Sequence, residues 1–107
     1  MNVILVCAHG VSTGMFSRRL NQEARKRGMT DFSSQAVSYL DVDQYIKEAD
    51  VVLVGPQVRI IQSKLKALCE SQGIQCLELD AQDFGTMNVG RIMTELKSLS
   101  EIDKESE

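Results

Sequence analysis

Apolar residues occur along the chain in short runs separated by helical stripes. The runs Val3–Val6 and Val51–Val54 are apolar at every position, which is typical of strands covered on both faces of a parallel sheet. Residues 74–79 form a third predicted strand. Residues 32–38 are a weaker strand, predicted because one helix ends before it and another begins after it. The pattern therefore predicts four strands.

A helix is predicted after each strand, because apolar residues there recur at helical spacing. The stripes are Phe16, Leu20 and Ala24; Val42, Tyr45, Ile46 and Ala49; Val58, Ile61, Leu65 and Leu68; and Val89, Ile92, Met93, Leu96 and Leu99. Gly28 and Gly73 are suited to end the first and third helices. Asp41 and Gln44 have the spacing of a capping box for the second helix.

Strands that alternate with helices indicate an α/β fold, a four-stranded parallel sheet with helices on both faces. Sites in such sheets lie outside the carboxyl ends of the strands, near the point where the strand order reverses. Three predicted loops, residues 7–14, 55–57 and 80–85, fall at that edge. We expect one domain over residues 1–100 and a polar, frayed tail over residues 101–107.

Composition narrows the range of functions. The 107 residues are 43% apolar and 25% charged, with a net charge of −3, so nothing in the overall balance favours nucleic acid. No apolar run approaches the roughly 20 residues of a membrane span, and no signal peptide is recognised, which predicts a cytoplasmic protein. One histidine and three scattered cysteines make no zinc pattern, so neither a metal nor a cofactor is expected.

The segment that follows the first strand carries the candidate chemistry. Cys7 stands at the mouth of a turn that opens a helix, where inward-pointing N–H groups would bind an anion and favour the thiolate. Ser12 and Thr13 add hydroxyl donors. We therefore predict a nucleophilic Cys7 and a phosphate-binding loop made of Ala8, His9, Gly10, Val11, Ser12, Thr13 and Gly14.

The remaining reactive side chains have simpler interpretations. Cys69 and Cys76 are predicted to be packing residues, and His9 to be solvated unless a carboxylate partner makes it an acid or base. Asp80 and Asp83 favour turn capping over an acid pair. The basic groups Arg18-Arg19 and Arg25-Lys26-Arg27 are predicted to be exposed helix faces, and docking of an acidic partner is the secondary alternative.

A cysteine in such a loop serves several chemistries. Small tyrosine phosphatases use Cys-x5-Arg, but the sixth residue after Cys7 is Thr13 and the nearest arginine is Arg18. Without that arginine, no charged side chain of the loop stabilises the transition state of hydrolysis. A phosphatase or arsenate reductase is therefore a less favoured function, but it stays an alternative. A non-catalytic module whose loop only binds an anion is the third alternative.

Three segments together resemble the lactose/cellobiose-type enzyme IIB of the bacterial sugar phosphotransferase system. They are Val6-Cys7-Ala8-His9-Gly10-Val11-Ser12-Thr13, Ala49-Asp50-Val51-Val52-Leu53-Val54-Gly55-Pro56-Gln57-Val58 and Asp83-Phe84-Gly85-Thr86-Met87-Asn88-Val89-Gly90. His9 and Asn88 depart from the family pattern, since a small residue and an aspartate are common there.

The resemblance implies a phosphocarrier. Cys7 would take a phosphoryl group from a phosphohistidine of enzyme IIA and pass it to a sugar, such as cellobiose, chitobiose or lactose, carried by the membrane-embedded enzyme IIC. Docking would be transient, at the inner face of the membrane. Val11, Met15 and Gln57 are the residues expected to face these partners.

Overall fold

A computed structural model describes the backbone of residues 1–7, 10–55 and 62–105 and the side chains of residues 1–6, 13–55 and 62–99. The strands are β1 (Asn2–Cys7), β2 (Ser33–Ser38), β3 (Val51–Val54) and β4 (Gln75–Glu78). The helices are α1 (Gly10–Lys26), α2 (Val42–Tyr45), α3 (Gln62–Gln72), α4 (Ala81–Gly85) and α5 (Val89–Glu105), and a 3₁₀ turn (Ile46–Glu48) follows α2. The predicted order of strands and helices is confirmed, except that an additional short helix, α4, lies between β4 and the last helix.

The four strands form one parallel sheet in the order β2-β1-β3-β4. The chain moves from β1 to β2 in one direction and then crosses to β3 and β4 on the other side of β1. The strand order therefore reverses between β1 and β3. Ligands of open α/β sheets bind at the carboxyl ends of such a pair of strands.

Each face of the sheet covers its own apolar cluster, as expected where successive side chains of a strand point to opposite faces. One cluster packs the sheet against α1, α4 and α5, and contains Val3, Leu5, Phe16, Leu20, Ala24, Val51, Leu53, Leu79, Phe84, Ile92, Met93 and Leu96. The other packs it against α2 and α3, and contains Ile4, Val6, Val37, Val42, Ile46, Ala49, Val52, Val54, Leu65 and Cys69. The predicted helices on both faces are confirmed.

Glycine ends α1 and α3 in the same way. Gly28 and Gly73 have positive φ angles of 73° and 68°, which a residue without a Cβ adopts at no steric cost. The Met29 N–H donates to the Ala24 carbonyl at 2.9 Å, and the Ile74 N–H donates to the Cys69 carbonyl at 2.8 Å. These six-residue closures are Schellman motifs, so both predicted stops are confirmed.

Two predicted loops are partly helical. Residues 10–14, which belong to the predicted loop 7–14, are the first residues of α1. Residues 80–85 were also predicted as a loop, but Asp80 accepts a hydrogen bond from the Asp83 N–H at 2.7 Å and begins the five-residue helix α4. In both places the helix begins within three residues of the end of the preceding strand, which leaves a shorter loop than predicted.

The second helix differs from its prediction at both ends. Asp41 precedes α2, but its side chain makes no capping hydrogen bond, so the predicted capping box is absent. Tyr45 is 38% exposed rather than buried, because α2 ends there and the chain tightens into the 3₁₀ turn. Val42, Ile46 and Ala49 are buried as predicted.

The last helix continues further than the apolar stripe that predicts it. The backbone of α5 is helical to Glu105, whereas the side chains beyond Leu99 lie outside the described part of the chain. The predicted fraying of residues 101–107 stays a prediction. Within the described residues, no helix is both long enough and apolar enough to cross a bilayer.

Candidate functional site

Cys7 is the last residue of β1, at the carboxyl edge of the sheet. Its backbone pairs in register with Ser38 of β2. On the other side, the Gly55 N–H donates to the Val6 carbonyl at 3.2 Å, which places the buried residue Gly55 beside the end of β1. The sequence prediction that Cys7 lies at the carboxyl edge is therefore confirmed for its backbone. Its side chain lies outside the described residues.

Helix α1 begins at Gly10, three residues after Cys7. The first four N–H groups of a helix have no partner within it, and the aligned peptide dipoles give that end about half a positive charge. The first turn of α1 contains no acidic residue, so no carboxylate of that turn competes for these groups. The backbone at this end of α1 is therefore suited to an anion.

The predicted phosphate-binding residues fall into two groups. Ala8 and His9 lie outside the described residues, as do the side chains of Gly10, Val11 and Ser12. Thr13 and Gly14 are described. Thr13 is 1% exposed, so its side chain belongs to the interior of the fold, and its predicted contact with phosphate stays a prediction.

Gly14 is not part of a loop, contrary to the prediction from sequence. It lies within α1, and a Cβ built on it would meet nothing within 4 Å. A larger residue would fit there without steric conflict. Any backbone curvature around an anion must therefore come from residues that precede Gly14.

Asp80 and Asp83 form no acid pair. Asp80 caps α4, while the buried Asp83 forms an ion pair with Arg91 and accepts a hydrogen bond from the Asn88 side chain at 3.4 Å. Both carboxylates thus fix the connection between α4 and α5. The interpretation that favoured capping is confirmed for Asp80, whereas the Asp83 carboxylate forms an ion pair instead.

Sequence reasoning missed Tyr39 and Leu40, which follow β2 at the edge where Cys7 lies. Tyr39 is 39% exposed and Leu40 is 75% exposed, and with Val42, Leu65 and Leu68 they line a groove of about 240 Å³. The available signal was an apolar pair directly after a strand that ends at the functional edge. Met15, predicted to face partners, is 42% exposed on α1, whereas Val11 and Gln57 have side chains outside the described residues.

Cys69 and Cys76 lie at the opposite end of the sheet and interact with each other. Burial raises the pKa of the Cys69 thiol to about 12, and burial also raises the pKa of Cys76. A raised pKa keeps a thiol protonated, and a protonated thiol is a poor nucleophile. The prediction that both are packing residues agrees with this environment.

Comparison with known proteins decides the family. The sequence model of the family described as the lactose/cellobiose-specific IIB subunit of the phosphotransferase system (PTS) matches residues 2–95. The chain belongs to this family. The resemblance inferred from the three sequence segments is therefore confirmed, and this IIB chain is a phosphotransferase-system component rather than a phosphatase-like hydrolase.

Curated relatives carry the same component name. The galactose-specific EIIB component of Lactococcus lactis subsp. cremoris and the cellobiose-specific EIIB component of L. lactis subsp. lactis are each 26% identical over 91% of this IIB chain and 94% of the relative. A lactose-specific EIICB component of Lacticaseibacillus casei is 24% identical over 78% of the chain, which spans 14% of that relative.

Solved structures share the fold. The lactose-specific IIB domain of Streptococcus pneumoniae superposes with a TM-score of 0.82 over 92% of this chain and 95% of that domain, at 16% identity. The cellobiose-specific IIB component of Borrelia burgdorferi gives a TM-score of 0.73 at 29% identity, covering 88% of this chain and 85% of that protein. The predicted four-stranded parallel fold is that of IIB domains.

Proposed function

We propose that this IIB chain is a phosphocarrier whose Cys7 receives a phosphoryl group from a phosphohistidine of enzyme IIA and passes it to a sugar bound by enzyme IIC. The observation that carries the proposal is the position of Cys7 in a family of phosphotransferase components. It ends the strand beside the reversal of strand order, three residues before the N-terminus of a 17-residue helix.

Each transfer exchanges one bond to phosphorus for another. In the first, the Cys7 thiolate attacks phosphorus, the P–N bond to the donor histidine breaks, and the imidazole leaves with the bonding electrons. In the second, a sugar hydroxyl attacks phosphorus, loses its proton, and the P–S bond breaks to restore the thiolate. The N–H groups and the positive dipole end at the start of α1 favour both the thiolate and the bound phosphoryl group.

The same segment gives little support to hydrolysis. The residue six positions after Cys7, where the phosphatase pattern has its arginine, is Thr13, which is buried. Arg18 is exposed and lies eight residues into α1, beyond the turn that would surround the phosphoryl group. A carrier benefits from this arrangement, because its phosphothiol must survive until the acceptor arrives.

We assign the donor and acceptor roles to two partner proteins, IIA and membrane-embedded IIC. The relative named as an EIICB component supports the pairing with IIC. A cytoplasmic chain that docks transiently at the inner face of the membrane fits these roles, with Val11, Met15 and Gln57 toward the partners. Three of the named relatives are specific for β-glycosides, namely cellobiose, lactose and oligo-β-mannoside, which supports a sugar substrate of that class, whereas a fourth is specific for galactose.

A labelling experiment tests the role of Cys7. Wild-type chain and the Cys7→Ser and Cys76→Ser variants are incubated with radiolabelled phospho-IIA from the same genome, and transfer is followed by gel autoradiography. We expect stoichiometric labelling of wild type and Cys76→Ser and none of Cys7→Ser. Equal labelling of Cys7→Ser, or steady release of inorganic phosphate by the wild type, would contradict the proposal.

A further inference from the structure

Helix α1 has a basic groove on its exposed side. Met15, Arg18, Arg19, Gln22 and Lys26 recur at helical spacing and, together with Glu23 and Val89, line a concavity of about 350 Å³. Spacings of three, four and seven residues place these side chains on one face of the helix. We call this surface the α1 groove.

The cations of the α1 groove are not neutralised by neighbouring carboxylates within the described residues. Arg18, Arg19 and Lys26 are exposed and form no ion pair there. Glu23, the carboxylate of the groove, is paired with Arg27 at 3.1 Å. The α1 groove therefore stays positive in a chain whose net charge is −3.

Helix stability explains some of these cations but not all of them. Lys26 and its neighbour Arg25 occupy the last turn of α1, where positive charge complements the helix dipole. Arg18 and Arg19 lie in the middle of the helix, where the dipole gives no such benefit. They are also absent from the buried clusters on both faces of the sheet. Their charge is available to a ligand outside the fold.

The α1 groove lies close to the proposed transfer site. Arg18 and Arg19 are eight and nine residues after Gly10, which corresponds to about 12–14 Å along the helix axis at 1.5 Å per residue. Exposed Met15 lies between them and the start of the helix. A protein that covers the carboxyl end of β1 would reach these side chains without moving the chain.

We propose that the α1 groove docks an acidic surface of the protein that donates the phosphoryl group. The proposal rests on the proposed function. It adds where the donor protein binds on this chain and that the donor surface is negatively charged. Complementary charge at such a contact accelerates encounter more than it strengthens the final complex. A concave groove suits projecting carboxylate side chains, whereas a flat anionic membrane would favour cations on a convex or planar face.

Two matched charge reversals test the proposal. Arg18→Glu/Arg19→Glu and the control Lys47→Glu/Lys97→Glu both change the net charge from −3 to −7, since each substitution removes one positive and adds one negative charge. The control lysines are exposed and lie outside the α1 groove. Circular dichroism and thermal unfolding verify that each variant folds, and Arg18→Gln/Arg19→Gln replaces the reversal if it does not.

The second-order rate constant of transfer from phospho-IIA is measured by quenched flow at about 0.01 M and about 1 M salt, where the screening lengths are roughly 30 Å and 3 Å. At low salt we expect the arginine reversal to slow transfer about tenfold or more relative to the lysine control. At high salt the two variants should converge. Equal rates for the two variants at low salt would contradict the proposal that the α1 groove docks the donor, and would leave the proposed role of Cys7 unaffected.

A vesicle assay separates a protein partner from a membrane. Wild type is sedimented with phosphatidylglycerol/phosphatidylcholine vesicles at low salt, and we expect it to remain in the supernatant. Co-sedimentation that the arginine reversal abolishes, with an unchanged transfer rate, would show that the α1 groove serves lipid and not the donor. Loss of labelling in Cys7→Ser is scored separately, so the two proposals fail by different results.

Discussion

The two ends of the sheet are held by different interactions. At the amino end, Asn2 donates its backbone N–H to the Asp50 carboxylate at 2.7 Å, and the Asn21 side chain bonds the backbone of Ser34. At the carboxyl end, α1 and α4 are joined by the stacked rings of Phe16 and Phe84, whose centroids are 5.4 Å apart. Directional polar bonds hold the strand ends and α1 at the amino end, whereas the contact between α1 and α4 at the carboxyl end is apolar.

The contacts at the amino end of the sheet stabilise the fold, whereas the carboxyl end holds the proposed transfer site. The Asn21 side chain accepts a hydrogen bond from the Ser34 N–H at 2.9 Å and donates one to the Ser34 carbonyl at 3.2 Å. Both backbone groups of Ser34, a residue of the edge strand β2, therefore have a partner. At the carboxyl end, the stacking of Phe16 on Phe84 holds α1 against α4. The start of α1, three residues after Cys7, carries the positive end of the helix dipole. We therefore expect substitutions at the two ends to have separable effects.

The largest expected effect is that of Phe16→Ala at the carboxyl end. Phe16 is fully buried, and its truncation removes apolar contacts and leaves a cavity that costs about 3–5 kcal/mol. Urea unfolding measures the loss, and phosphoryl transfer should slow as well, because α1 loses its contact with α4. Phe16→Leu is the control and should cost less than Phe16→Ala, because it leaves a smaller cavity. An unchanged rate of phosphoryl transfer in Phe16→Ala would contradict the claim that the packing of Phe16 positions α1 for transfer.

A smaller effect is expected for Asn21→Ala at the amino end. Both backbone groups of Ser34 lose a partner in a partly buried position, which costs about 1–3 kcal/mol in the free energy of unfolding. Transfer per folded molecule should not change. Ser98→Ala, at an exposed position of α5, is the control and should stay within about 0.5 kcal/mol of wild type. Slower transfer by folded Asn21→Ala would contradict the separation of the two ends.

The effect that is smallest at neutral pH, and develops only at alkaline pH, concerns the cysteine of α3. Burial raises the pKa of Cys69 from 9.0 to about 12, so the unfolded chain loses this proton first as the pH rises. The free energy of unfolding should therefore be insensitive to Cys69 below pH 9 and fall as the pH rises from about 9 toward 12. Urea unfolding of wild type and Cys69→Ala across this range isolates the contribution. Parallel pH profiles for the two chains would show that the Cys69 thiol is not buried as described.

Local patterns predicted the strands well and helix starts poorly. Val51–Val54 is apolar throughout, and a short strand covered on both faces of the sheet buries all four side chains. Gly10 and Gly14 suggested a loop, yet α1 includes both because packing of Phe16 and Leu20 outweighs the low helix propensity of glycine. The five residues of α4 are too few for a helical stripe to be recognised.

The arrangement of the strands and the polar contacts between elements depend on tertiary structure. The order β2-β1-β3-β4 has no local signature, because β1 and β3 are apolar on both faces whichever strands flank them. The bonds between Asn21 and Ser34 join residues 13 positions apart and have no sequence pattern. Cys7 was predictable because its position depends on one strand end alone.

The most direct test of the account is the chemical location of the phosphoryl group. Wild-type chain is incubated with phospho-IIA, digested under conditions that preserve phosphothiols, and mapped by mass spectrometry, with alkylation of free thiols in parallel. The account predicts a single phosphoryl group on the sulfur of Cys7 and loss of Cys7 alkylation in proportion. A phosphoryl group on His9, with Cys7 still fully alkylated, would contradict it.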